Sequence, residues 1–129
     1  MNLRSLDQKV DFYEDEAFAL HQAIKYYLFS MVQMSTKRPV PLIEALSIKP
    51  ANRVMARLDK MVNSWPPARP GKPLKTRGLR LEYDELLQLN AILAAGKLYE
   101  AAPTQAVPLR QACGKLNQKA LNLSPLFAL

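Results

Sequence analysis

Residues 41–65 read PLIEALSIKPANRVMARLDKMVNSW, and the way this stretch is divided decides the fold. Proline disfavours helix at its own position and at the one before it. Lys37-Arg38-Pro39-Val40-Pro41 is therefore a breaker, and Leu42 to Leu46 reads as a short helix. Ser47-Ile48-Lys49 is then a turn, and Pro50 suits the first position of a second helix. In that second helix Val54, Leu58, Met61 and Trp65 share one apolar stripe. Lys49, Arg53, Arg57 and Lys60 fall on a neighbouring stripe, so one face packs while the next stays positive.

Downstream, Pro66-Pro67-Ala68-Arg69-Pro70-Gly71-Lys72-Pro73 ends the helix. So many prolines favour a polyproline-like backbone, whose three residues per turn would align Arg69, Lys72 and Lys75. Arg77 and Arg80 follow, and Leu79, Leu81 and Tyr83 alternate with Arg80 and Glu82 as in a short strand. Asp84 starts another helix, with Leu86, Leu89 and Leu93 inside and Ile92, Leu98 and Tyr99 beside them, until Pro103. Pro108 opens a last helix on Leu109, Ala112, Cys113, Leu116 and Ala120, and Ser124-Pro125 closes it before an apolar tail, Leu126 to Leu129.

Upstream, Ser5 and Gln8 have capping-box spacing. Leu6, Val10, Tyr13, Ala17, Leu20, Ile24, Tyr27, Met31 and Met34 then recur at helical intervals. They predict one helix of about 30 residues, about 45 Å long. Such a stripe either pairs with a second chain, making a homodimer, or is covered by the C-terminal helices. No repeat of fixed period is visible.

The chain has 129 residues, enough for one domain. It divides into a long acidic and apolar helix (1–36), a basic region with a proline-rich loop (37–83) and two C-terminal helices with the tail (84–129). One cysteine excludes an internal disulfide framework and fits a reducing, cytoplasmic compartment. With a single histidine, His21, and no converging ligands, no metal or other cofactor is expected. No Ser-His-Asp spacing stands out, so an enzyme is not expected. Ala23 to Met34, the most apolar stretch, is too short and too polar to span a bilayer, so no membrane partner is expected.

Net charge is +7, and the whole excess sits in one segment. Residues 37–81 hold eleven basic residues against Glu44 and Asp59. Such a concentration points to a polyanionic partner.

Short helix, turn, and second helix with a basic face together resemble a helix-turn-helix, and the basic, proline-rich stretch stands where the winged helix-turn-helix families carry a wing. The similarity covers residues 24–83. It implies a mainly α fold of about five helices, with a helix-turn-helix-like core and room for a short basic β-wing. It also implies a second helix lying in the DNA major groove. Two departures stand out: Ser47 replaces the usual glycine, and Val54 and Leu58 sit one residue late relative to Leu46. The implied contacts are Arg53, Arg57 and Lys60 to phosphates or base edges, with Lys49 beside them, and Asn52 to adenine. Arg69, Lys72, Lys75, Arg77 and Arg80 would hold backbone phosphates or enter a minor groove. DNA is favoured over RNA because no aromatic-rich RNA-binding sheet motif is present. A DNA-binding regulator or accessory factor is the first expectation; the alternative is a helical adaptor or inhibitor whose basic face meets an acidic protein.

Overall fold

A computed structural model describes residues 6–40, 42–94 and 106–123. The expected Ser5 cap, Leu98 and Tyr99, the Pro103 stop and the C-terminal tail lie outside them. Two strands and four helices run in the order β1 (Gln8–Phe12), α1 (Glu14–Ser35), α2 (Leu42–Asn63), β2 (Arg77–Leu81), α3 (Tyr83–Ala94) and α4 (Ala106–Leu123). The chain is thus mainly helical, as expected, with four helices rather than five among the described residues.

The predicted 30-residue N-terminal helix is shorter and begins after a strand. Val10 and Phe12 alternate with Lys9 and Asp11. This is the period of a strand with one buried face, and Val10 and Phe12 are almost fully enclosed. Phe12 lay off the helical stripe, which is why that stripe misread the region. Helix α1 starts where Glu16 folds back and its carboxylate accepts the Tyr13 N–H at 2.9 Å. Glu14, Asp15 and Glu16 lie in its first turn, where carboxylates suit the helix dipole.

The expected turn at Ser47-Ile48-Lys49 is also corrected, because α2 runs unbroken through Pro50. Ser47, Ala51, Val54, Leu58 and Met61 are all buried. Their spacings of four, three, four and three make one continuous inward stripe. The apparent slip from Leu46 to Val54 arose from taking the wrong inward residue: Leu46 is 57% exposed, whereas Ser47 is buried and its hydroxyl bonds the Tyr27 hydroxyl at 3.0 Å. An interior proline costs about 3 kcal/mol. Burial of this whole stripe, with α1 and α3 both packed against α2, offsets it.

No wing hairpin forms. Residues 66–76 contain no strand, and β2 pairs with β1 instead, antiparallel, with Val10 opposite Leu79. The strand expected around Leu79 and Leu81 is present, but Tyr83 belongs to α3.

Among the described residues the element order is β-α-α twice over. Each of α1 and α3 packs against both α2 and α4. Aligning the halves on their strands places Val10 with Leu79, Phe12 with Leu81, Asp15-Glu16 with Asp84-Glu85 and Leu20 with Leu89. In the second helices Pro50, Val54, Arg57 and Leu58 align with Pro108, Ala112, Lys115 and Leu116. The hydrogen bonds follow the same relation. Glu16 and Glu85 are both buried; Glu85 accepts the Glu82 N–H at 2.8 Å, as Glu16 accepts that of Tyr13. Each carboxylate meets a cation from the other half: Lys115 is 2.6 Å from Glu16, and Arg57 pairs with Glu85. Lys115 also donates to the Asp11 carbonyl at 2.9 Å, and Arg57 to the Arg80 carbonyl at 2.7 Å. Asp11 and Arg80 are themselves aligned. The two halves therefore exchange equivalent contacts about a local two-fold axis.

Candidate nucleic-acid interface

The ten residues expected to contact nucleic acid separate into two groups. Arg53, Arg57, Arg77 and Arg80 are engaged within the protein. The Arg53 guanidinium lies 2.7 Å from Asp84 and 3.1 Å from Glu85. The hydrogen bond that Arg53 donates to Asp84, with the charges of Asp84, Glu85 and Glu82, raises its pKa still further. Arg57 is held by Glu85 and the Arg80 carbonyl. Arg77 donates to the Met61 carbonyl at 3.0 Å and the Ser64 hydroxyl at 3.1 Å. It thereby satisfies a carbonyl in the last turn of α2. Its guanidinium also lies 5.5 Å from the centre of the Trp65 ring. Arg80 lies 3.3 Å from Asp7.

Lys49, Asn52, Lys60, Arg69, Lys72 and Lys75 are exposed, and none of the five cations has an ion pair among the described residues. Lys49, Asn52, Ala56, Lys60 and Asn63 are exposed at spacings of three, four, four and three. They form an outward ridge on α2 that leads into residues 66–75. There, the expected polyproline alignment gives way to a turn. The Lys72 N–H donates to the Arg69 carbonyl at 3.2 Å, Pro70 takes the second position, and Gly71 has φ +76°. This is the type II pattern, whose third position favours glycine because an L side chain is strained there. The turn brings Arg69 and Lys72 together.

Both line a cavity of about 480 Å³ between this segment and the start of α1, a volume within the range of small-ligand sites. Lys75 joins them on its wall, as do Glu14 and Asp15. Its apolar lining includes Tyr13, Trp65, Pro66, Pro67 and Leu74. Trp65, expected in the core, is only half-buried. Tyr13, expected on the buried stripe, is 41% exposed, with Lys115 4.9 Å from its ring centre.

Elsewhere, His21 is nearly enclosed, with its Nε2 3.4 Å from Asp59. Burial lowers its pKa; Asp59 opposes that shift and Lys25 adds to it. Cys113 is buried on the α4 stripe, as its spacing suggested. Leu6, Val10 and Ala17, offered above as a surface for a second chain, are buried within this one. Among the described residues no cluster of metal ligands occurs and no helix is long and apolar enough to cross a membrane. The sequence reading missed Asp84 and Glu85 as partners of Arg53 and Arg57. The signal available was the repeated Asp-Glu dipeptide after an alternating strand, at Asp15-Glu16 and Asp84-Glu85. No family model, curated protein or solved structure matches this chain.

Proposed function

We propose that this chain is a non-enzymatic, DNA-binding accessory protein that holds phosphates on Lys49, Lys60, Arg69, Lys72 and Lys75. One observation carries the reading. The basic segment has four arginines engaged by contacts within the protein, yet it leaves these five cations exposed on one helix ridge and the turn that follows it. A surface optimised only for solubility would intersperse both signs. Without the helix-turn-helix break, nothing presents the start of a recognition helix, so the affinity comes from the backbone charge.

Fluorescence-anisotropy titration with a labelled oligonucleotide across a salt series tests this. Five phosphate contacts give a slope of log K against log salt of about −3.5 on a single strand and about −4.5 on a duplex. Absence of binding at low salt overturns the proposal. So does a nuclease-resistant, stoichiometric complex with an acidic protein that occupies the same cations and excludes DNA.

A further inference from the structure

We infer that the cavity between the start of α1 and residues 66–75 is a base-binding pocket, and that the nucleic acid it takes is single-stranded. The inference rests on the DNA-binding reading above and adds the substrate class to it. In a duplex the faces of the bases are stacked on one another, so proteins read their edges in the grooves. A single strand offers the faces, and aromatic side chains bind them with little sequence preference. The cavity supplies rings. Tyr13 and Trp65 line it, with Pro66, Pro67 and Leu74 alongside.

Both rings are held before any ligand arrives. Lys115 lies against Tyr13 and is itself fixed by Glu16 and the Asp11 carbonyl. Arg77 lies against Trp65 and is fixed by Met61 and Ser64. Pre-set rings lose little freedom on binding. Phosphate recognition is on the same wall, since Arg69 and Lys72 end the Pro70-Gly71 turn and Lys75 follows. Glu14 and Asp15 repel phosphate and leave acceptors for the exocyclic amino group of a base. Packing does not require this arrangement: Leu74 is 73% exposed and Tyr13 41%. Nor does the duplicated architecture, since the second half puts Glu82 where the first has Tyr13.

Trp65 is the only tryptophan, so its emission reports on the pocket. The full chain is titrated at low salt with three probes: a mixed-sequence single-stranded decamer, an abasic decamer of equal charge, and a duplex of the same sequence. The base-bearing single strand should quench Trp65 and bind about tenfold more tightly than the abasic strand. Tyr13→Ser should reduce it to the abasic level without weakening the abasic strand, and Tyr13→Phe should retain the preference. Leu74→Ser, at a position with no packing role, should weaken the base-bearing strand alone and carries the test if Tyr13→Ser does not fold. Equal affinity for abasic and base-bearing strands overturns the pocket and leaves the phosphate reading standing, as does a duplex bound more tightly than the single strand. Failure of all three probes to bind at low salt overturns the phosphate reading itself.

Discussion

At Glu85 a carboxylate that is 1% exposed faces the guanidinium groups of Arg53 and Arg57. Removing its charge leaves Arg57 on neutral acceptors and Arg53 on Asp84 alone, a change that costs about 2–3 kcal/mol when one partner is buried and the others half exposed. Glu85→Gln should therefore lower the melting temperature by roughly 10 °C. Arg69→Ala with Lys72→Ala should leave it unchanged, because neither side chain has an ion pair among the described residues. Thermal melts of both variants check this, and equal effects would erase the distinction between structural and exposed cations. His21 gives a second residue-scale expectation. Its pKa is lowered in the folded protein, chiefly by burial, so the unfolded chain takes up the proton first as pH falls. Stability should be full above the ordinary histidine value of about 6.5 and decline as pH drops through it. His21→Gln should flatten the change in melting temperature between about pH 7.5 and 5.5, a window around that value. Retention of the full slope would assign it to other groups.

Helix α2 shows what was legible in the sequence and what was not. Its basic and apolar faces were readable from spacing, and so was the buried position of Val54, Leu58 and Met61. Its continuity was not, because proline at position 50 is a strong local signal for a break, while the burial of Ser47 depends on Tyr27, which is distant in sequence. Strand β1 was hidden for a similar reason: Leu6 and Val10 fit a helical period, and only the partner strand at Arg77–Leu81 decides between the two periods. Ser47→Gly tests the element directly. In a turn, glycine would be neutral or favourable; inside a helix it costs about 1 kcal/mol, and loss of the Tyr27 bond adds about another. A drop of about 2 kcal/mol in denaturant unfolding is expected, on those same magnitudes, and no loss would restore the break. In the 66–75 segment, limited trypsin digestion should cut after the exposed Lys75, since Arg69 and Lys72 each precede a proline, and should spare Arg77, whose side chain is held by Met61 and Ser64. Early cleavage at Arg77 would contradict that contact.

On the scale of the whole molecule, the two β-α-α halves hold each other through equivalent pairs, Glu16 with Lys115 and Glu85 with Arg57. The duplication escaped the sequence reading because the interval between aligned residues differs between the halves, 30 residues from Leu20 to Pro50 but 19 from Leu89 to Pro108, so no fixed period exists. The same exchange removes four arginines from the expected interface and leaves Lys49, Lys60, Arg69, Lys72 and Lys75 facing outward. That division is the central claim, and the salt dependence of single-strand binding measures it most directly. Replacing Arg69, Lys72 and Lys75 together by alanine should reduce the slope of log K against log salt by about two, at roughly 0.7 per phosphate, with the melting temperature unchanged. An unchanged slope, or an equal reduction produced by Arg57→Ala in protein that remains folded, would contradict it.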